Sequence, residues 1–560
     1  MNDISRTLPD EAARHRLLQS PINGEGLMLL FEAGLLWLTT NQQYVNSLNV
    51  FPVPDGDTGT NMVLTMQAAF TEADQHRSTN VGETGRHFAQ GALMGARGNS
   101  GVILSQIWRG FSRALDHYET MDTGLLMRAM QEARNTAYKG VVRPVEGTIL
   151  TVIKDMTTAA ETTLKDDSSL SQMLLSIVEA GDASVKHTPE LLPILKQAGV
   201  VDSGGQGLFY IFEGMLRMLQ GQSLDASGAV LRPLAELDLS NAMETVEEGQ
   251  DYEVVIDFAP NGTFTLENYY NGLSEIGTSI QVGEGDGIYR MHIHTALDKR
   301  YDPIAYTEGL GTVKKIMMEN LQDQMNGRAK EDTRLSLAQV NPGEVAVVAV
   351  SPGDGLSRIF ASLGVAAIVQ GGQTMNPSVK ELVAAFENLP TDQIIILPNN
   401  KNIILAAQNA AKVSVKKIAI IPTKNAPQGF SAMLRLIPDE SLEENEASML
   451  EAINEVHTGE ITITTRSVEI DGVHVEKGQV ISLYDGKLVS SDETIEGAID
   501  ELFEKAHLEE VERITFFYGE GLNQQQVNHL GDRVREKYPD KDIEIHEGGQ
   551  PHYQLIIAFE

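Results

Sequence analysis

Asp55 and Asp57 stand two residues apart in the stretch Asn49-Val-Phe-Pro-Val-Pro-Asp-Gly-Asp-Thr-Gly-Thr-Asn61, with Gly56 between them and Thr58, Gly59, Thr60 and Asn61 just behind. Ahead of them run the apolar residues Leu48, Val50, Phe51 and Val53, with Pro52 and Pro54 among them. Such a segment holds a stiff, extended path into a tight turn. Two carboxylates on that turn cannot be buried uncompensated, because their mutual repulsion and desolvation are large. A divalent cation, Mg²⁺ beside phosphates above all, resolves the conflict. An acidic surface turn would account for Asp-Gly-Asp taken alone. The glycines and hydroxyls behind it point instead to a ligand approaching the backbone.

Two further loops share that chemistry. Met94-Gly-Ala-Arg-Gly-Asn-Ser-Gly101 leads into the apolar run Val102-Ile-Leu104. A glycine-rich turn that opens a helix offers unpaired N–H groups and a positive dipole end, which suit phosphate oxygens. Gly98 and Gly101 supply the turn, and Asn99 and Ser100 add donors. The alternative is a helix cap or a close helix crossing that needs glycine. Val201-Asp-Ser-Gly-Gly-Gln-Gly207 also precedes an apolar helical pattern. Asp202, Ser203 and Gly204 there read equally as a plain N-cap turn or as part of a binding site. No G-x-x-x-x-G-K-[ST] occurs, so this is not a P-loop fold, and no protein-kinase signature is present.

The elements that must position these loops are mostly helical. From about 22 to 221 the chain reads as an all-α unit. Apolar residues fall at helical spacing over Leu27–Leu38, Gly124–Lys139, Ser169–Glu179 and Gly207–Leu219. Composition then changes, through a loop-like acidic segment at 227–250, to a small α+β domain at 244–326. Strands are expected at Tyr252–Phe258 and Ile288–His294, and a helix interrupted by Gly-Leu-Gly at Pro303–Met318. A third region, 340–560, alternates apolar runs with helical patterns. The runs are Glu344–Val350, Ala366–Val369, Gln393–Leu397 and Lys417–Ile421; the helices are Gly355–Leu363, Ser378–Glu387 and Asn402–Ala411. That is the pattern of a parallel α/β domain. Past about 458 the strands become shorter and mixed, with Ile514–Tyr518 and Tyr553–Phe559 among them.

Composition bounds the partners. The 560-residue chain is 42% hydrophobic, enough for several cores, and carries a formal charge of −35. That charge argues against a nucleic-acid backbone or an anionic membrane as the main partner. It leaves an anionic nucleotide open, because metal and backbone N–H groups hold anions locally. No cysteine occurs, which excludes disulfides, thiolate nucleophiles and cysteine metal sites. Met1–Asp10 lacks an apolar core of signal-peptide length, and no stretch reaches a membrane span, so no integral membrane segment is expected and the cytoplasm is the expected compartment.

Two later features could carry chemistry. His292 and His294 lie two apart on an expected strand, so they share one face and could ligate zinc; they could equally be a surface pair on an edge strand. Gln373, Asn376, Asn399, Asn400 and Lys401 follow strand-like runs, where parallel α/β domains form a crevice. Their amides could line a site or tie loops together.

The three loops together resemble the DhaL-type nucleotide-binding domain of dihydroxyacetone kinases, in the form fused to further domains in the ATP-binding component (FakA) of bacterial fatty acid kinase. Later segments carry the same resemblance: Met291-His-Ile-His-Thr295, Gly371-Gly-Gln-Thr-Met-Asn-Pro-Ser378, Ile396-Leu-Pro-Asn-Asn-Lys-Asn-Ile403, Pro422-Thr-Lys-Asn-Ala-Pro-Gln-Gly429 and Gly548-Gly-Gln-Pro-His-Tyr553. The match is collinear over almost the whole chain. It implies a multidomain protein: a barrel of antiparallel helices, then the α+β middle domain, then the α/β C-terminal region. ATP would sit at one end of the barrel, its phosphates held through two Mg²⁺ ions by Asp55 and Asp57. Asn49 falls roughly where dihydroxyacetone kinases have a third aspartate. Thr58, Thr60 and Asn61 become phosphate or metal neighbours, Gly98, Asn99, Ser100 and Gly101 the loop over the nucleotide, and Asp202, with Ser203 and Gly204, the nucleoside end. In the middle domain the resemblance implies a zinc site of two histidines and a cysteine, with Glu253 near the cysteine's place, in a structural or docking role.

The expected function is that of an ATP-dependent kinase subunit. It would transfer the γ-phosphate of ATP to the carboxylate of a fatty acid held by a separate fatty-acid-binding carrier, giving an acyl phosphate. Two other readings stay open: a dihydroxyacetone-type kinase component, and a nucleotide-dependent scaffold without turnover. A homodimer built mainly by the C-terminal half is expected, with no nucleic-acid partner.

Overall fold

In the computed structural model the described residues are 21–49, 56–141, 143–164, 169–224, 232–233, 252–261, 264–285, 288–320, 335–373, 375–464, 468–470, 473–506 and 508–560. Asp55 and the acidic segment 227–250, apart from residues 232–233, lie outside them. The chain divides into two compact units, one of residues 1–224 with 335–560, the other of residues 225–334.

The first unit begins with helices α1 (Gly24–Thr40), α2 (Gln42–Leu48), α3 (Thr58–Gln75), α4 (Val81–Gly95), α5 (Gly98–Leu115), α6 (Thr123–Gly140), α7 (Ile149–Thr163), α8 (Leu170–Leu191), α9 (Pro193–Ala198) and α10 (Ser203–Leu219). From α3 to α8 each packs on the next, α8 packs on α10, α10 on α1, and α1 returns to α3, so the ring closes. Inside it, Phe31 of α1 stacks on Phe88 of α4 with ring centroids 3.8 Å apart, and Trp108 of α5 packs edge-on to both. Caps fix where helices start: Asn23, Asn80, Asp122, Thr148 and Ser169 each accept a first-turn N–H. The all-α reading holds. The helices α3, α4, α5 and α7 are not individually evident in the sequence, because glycine, threonine and asparagine blur their apolar stripe. Some of those glycines serve packing: a Cβ at Gly110 would collide with the Glu132 carbonyl oxygen on α6.

The second unit holds a five-stranded sheet ordered β1-β3-β4-β2-β5. Its strands are β1 (Arg232–Pro233), β2 (Tyr252–Pro260), β3 (Thr278–Gly285), β4 (Ile288–Thr295) and β5 (Gly311–Asn320), with helices α11 (Leu266–Ser274) and α12 (Asp302–Glu308). The expected helix at Pro303–Met318 is corrected. α12 ends at Glu308, and Gly311–Asn320 pairs antiparallel with β2. Gly311 permits that pairing, since a Cβ there would lie 2.5 Å from the Ala259 carbonyl oxygen. Val254, Ile256, Phe258, Met291 and Ile293 form one face of the sheet's core with Tyr269 and Leu273 of α11.

The rest of the first unit is α/β. A four-stranded parallel sheet runs β7-β6-β8-β9. It is built from β6 (Val345–Ser351), α13 (Asp354–Ser362), β7 (Ala367–Gln370), α14 (Val379–Glu387), β8 (Gln393–Leu397), α15 (Ile404–Val413) and β9 (Lys417–Ile420). Every residue of β6 is buried, as its unbroken apolar run requires of a strand covered on both faces. Helices α16 (Ala426–Met433) and α17 (Leu442–Ala452) lead to β10 (His457–Ile463), the hairpin β11 (Val468–Ile470) and β12 (Val473–Val475), then β13 (Val480–Tyr484), β14 (Lys487–Asp492), α18 (Ile495–Lys505), β15 (Arg513–Tyr518), α19 (Gln524–Lys537), β16 (Asp542–Glu547) and β17 (Tyr553–Phe559). The second sheet is mixed and six-stranded, ordered β14-β13-β10-β17-β15-β16. Among the described residues no helix is long and apolar enough to cross a membrane.

Candidate nucleotide-binding site

The three glycine-rich loops meet at one end of the helical ring. Asp57 is the N-cap position of α3, so Thr58, Gly59, Thr60 and Asn61 form that helix's first turn. Gly98 and Ser203 begin α5 and α10. The Ser203 hydroxyl donates to Thr58 Oγ1 at 3.2 Å, joining the third loop to the first. A Cβ at Gly98 would lie 2.6 Å from Asn61 Nδ2, and one at Gly101 would collide with Thr65 Oγ1, so the second loop lies against the first. Gly98 also has φ +56°, a left-handed conformation that glycine adopts without strain.

A fourth helix start joins them. The Asp202 carboxylate accepts Gly205 N–H at 2.6 Å and also the N–H of Ile149, the first residue of α7. Asp202 thereby links the N-termini of α7 and α10. Burial pushes its carboxyl up to about 6, against the downward pull of those two backbone donors. Sequence reasoning missed Thr148 and Ile149; a glycine followed by an N-cap threonine, Gly147-Thr148, is the signal that could have found them. Four helix N-termini thus converge, and their first-turn amides and dipoles favour an anion.

Each predicted residue has a definite place. Asp57 is 5% exposed and Asn61 4%. Thr60 turns toward α2: its hydroxyl accepts from Gln42 Nε2 at 2.9 Å and Asn46 Nδ2 at 3.0 Å, and its N–H donates to Asn46 Oδ1. Asn49 is the C-cap of α2, its N–H bonded to the Asn46 carbonyl. Gly204 is buried beside Asp202, and Ser100 is half-buried in the first turn of α5.

The α/β region reaches this site. The Asn376 side-chain amide donates to Asp57 Oδ2. Arg97 Nη1 donates to the Asn376 carbonyl oxygen at 3.0 Å and pairs with Glu381 at 3.1 Å. Asn99 Nδ2 donates to Asn402 Oδ1 at 3.1 Å, and Val379 N–H to the Ala96 carbonyl. Beneath these bonds Ala96 and Val102 share an apolar cluster with Val379, Ile403 and Ala407. The other amides tie loops together. Asn399 donates to the Val350 carbonyl, Asn400 to Gln373 and Gln373 to the Tyr553 hydroxyl.

In the second unit His292 and His294 project from one face of β4, both buried, with ring centroids 4.8 Å apart and planes inclined by 80°. The β2–β4 register sets position 253 opposite His294; the Glu253 side chain lies outside the described structure. Among the described residues, one group of three such side chains comes close enough to hold a metal ion: Glu72, His76 and His87, with ligand atoms within 4.8 Å of one another where α3 turns into α4.

Residues 52–217 match the DAK2 domain, 249–328 the middle domain of FakA-like fatty acid kinase proteins, and 346–560 their C-terminal domain. Uncharacterised proteins of Staphylococcus aureus strains USA300 and NCTC 8325 are 37% identical over 548 residues, 97% of this chain and 100% of theirs. The chain belongs to the FakA-like fatty acid kinase family. The make-up of this FakA-like chain is that of an ATP-dependent phosphotransferase subunit. Among solved structures it is similar to the dihydroxyacetone kinase from C. freundii in complex with AMP-PNP and Mg²⁺, at 16% identity and TM-score 0.28, covering 39% of this chain and 38% of that one. It is also similar to the fatty acid kinase B3 protein of Streptococcus pneumoniae loaded with linoleic acid, at 14% identity and TM-score 0.28, covering 39% and 99%.

Proposed function

We propose that this protein transfers the γ-phosphate of ATP to the carboxylate of a fatty acid held by a separate fatty-acid-binding protein, releasing ADP and an acyl phosphate. The observation that carries the reading is the convergence of four helix N-termini around a buried aspartate, in a chain of the FakA-like fatty acid kinase family. The first-turn amides of α5 and α10, with the hydroxyls of Thr58, Ser100 and Ser203, bind phosphate oxygens. Asn61 holds the loop that Gly98 opens. Asp202 fixes the relative placement of α7 and α10 at the nucleoside end. An ionised fatty-acid carboxylate is already the nucleophile, so the chain needs alignment and charge cancellation rather than a general base.

The donor set fits Mg²⁺. Asp57 offers a buried carboxylate, Asn49 and Asp55 precede it, and all the donors are oxygen. Asp55, Asp57 and Asn49 would hold two Mg²⁺ ions, which cancel charge on the transferring phosphoryl group. A zinc ion in the middle domain, on His292, His294 and Glu253, extends the reading; two buried imidazoles on one strand face support it. The protein acts in the cytoplasm as a homodimer assembled through its C-terminal half, without nucleic acid; light scattering on the full chain reads the dimer directly.

The test is ATP turnover by the purified chain, with and without the lipid-loaded carrier. The expected result is acyl phosphate formed when both proteins are present. Acyl phosphate made without the carrier, or Mg²⁺–ADP binding with no transfer to any loaded carrier, would defeat the proposal.

A further inference from the structure

We infer that Asn376, from the C-terminal α/β region, is a positioning residue of the nucleotide site: it holds the Asp57 carboxylate for the metal-bound nucleotide. The inference rests on the kinase reading above and extends the site beyond the helical domain.

Asn376 is 1% exposed, and its NH2 group donates to Asp57 Oδ2. A carboxylate is acceptor-only, so the amide must present nitrogen to it. That orientation turns Oδ1 away, and Oδ1 is buried with no hydrogen-bond donor. A buried carbonyl oxygen without a donor costs free energy, and a structure keeps one where something else is to meet it. One Asn376 atom therefore binds a proposed metal ligand, while the other offers a further oxygen beside it.

Asn376 is also fixed in place. It sits on the turn between β7 and α14, where Gly371 N–H bonds the Ser351 carbonyl and Gly372 N–H the Met375 carbonyl. Two residues on, Ser378 and Glu381 form a reciprocal capping box at the start of α14. Arg97, from the second phosphate loop, grips the Asn376 carbonyl oxygen. A tie meant merely to dock two domains would not need its amide on the site's buried carboxylate; the Arg97–Glu381 pair and the apolar cluster beneath already dock them. Carboxylates that bind metal keep such hydrogen-bonding partners, and losing one typically weakens metal binding about 10- to 100-fold.

The experiment uses the full-length chain and calorimetric titration of ADP at a series of Mg²⁺ concentrations. Wild type must bind ADP in a Mg²⁺-dependent way; failure there defeats the kinase reading itself, and this inference with it. Asn376→Leu keeps the volume and removes both polar atoms. Its half-saturating Mg²⁺ concentration is expected to rise about 10- to 100-fold, with ADP affinity recovered at saturating Mg²⁺. An unchanged or lower Mg²⁺ requirement in a variant that melts like wild type would overturn the inference. Should Asn376→Leu not fold, Asn376→Asp decides. It sets two carboxylates together, so it should melt below wild type in EDTA and regain that loss on addition of Mg²⁺, a response that a structural tie would not show. Loss that Mg²⁺ does not restore refutes the role.

Discussion

Gly98 offers a sharp test of how the loops are assembled. Replacing it with alanine imposes two separate costs. The backbone sits at φ +56°, and an L side chain there costs about 1–2 kcal/mol. The new Cβ would also lie 2.6 Å from Asn61 Nδ2 and 3.4 Å from Asn376 Nδ2. Asn61 is buried, so its amide must move nearly an ångström, at the loss of about one hydrogen bond, roughly 0.5–1.5 kcal/mol. Gly221 supplies the control. It has φ +68° with nothing within 4 Å of a built Cβ, and lies just past the C-terminus of α10. Gly221→Ala should therefore carry the backbone cost alone, lowering Tm by about 2–8 °C with ADP binding unchanged. Gly98→Ala should lose more stability and weaken Mg²⁺–ADP binding by about tenfold or more, since the shifted Asn61 lies in the first turn of α3. Scanning calorimetry and ADP titration on both variants measure the two costs. Equal losses of stability with wild-type nucleotide affinity in Gly98→Ala would refute the packing of the second loop on the first.

Asp57→Asn should retain the helical fold by circular dichroism while phosphoryl transfer falls on the order of a thousandfold, the rate equivalent of about 4 kcal/mol of transition-state stabilisation. Asp202 makes a pH prediction. Its folded-state value of about 6 exceeds the unfolded value of about 3.9, so the stability its proton contributes is fully present below about pH 4 and lost as pH rises through 6. Relative to Asp202→Asn, wild type should therefore gain Tm, by a few degrees, as pH falls from 7 to 4; melting curves of the pair across that range check the sign. Arg97→Ala should cost about 1 kcal/mol or less through its partly exposed Glu381 pair, yet raise the Mg²⁺ requirement for ADP binding by releasing the Asn376 turn. If the middle domain holds zinc, the purified chain should carry about one zinc per protomer by metal analysis, and His292→Ala should lose it without changing Mg²⁺–ADP affinity.

Much of this is legible in the sequence because it is local. β6 follows from the unbroken run Val345–Val350, and three glycine-rich turns announce the helix starts at Thr58, Gly98 and Ser203. Two kinds of fact are not legible. The first is where a weak local pattern yields to tertiary pairing: Thr312–Asn320 has lysine and methionine content compatible with a helix, yet pairing along β2 makes it a strand. The second is long-range partnership. Asp57 and Asn376 are 319 residues apart, and no spacing rule joins them. The amides at 373, 376, 399 and 400 look alike in sequence, and folding assigns three of them to loop ties and one to the nucleotide loop.

A formal charge of −35 repels a tetra-anionic nucleotide at long range, and the site shows how the chain can nevertheless hold one. Arg97, the cation on the phosphate loops, is engaged with Asn376 and Glu381 of the α/β region. Attraction for phosphate is left to backbone amides at four helix starts, whose partial charges do not depend on the net charge of the surface. Those dipoles act over about one helical turn, so the helix starts must stay in register to act together. Asp202 provides that register between α7 and α10, Ser203 and Thr58 between α10 and α3, and Gly98 with Asn61 between α5 and α3. The α/β region clamps the loop before α5 through Arg97, Ala96 and Asn99. Phosphate binding and domain docking therefore depend on the same few residues, and a change at either surface is felt at the other.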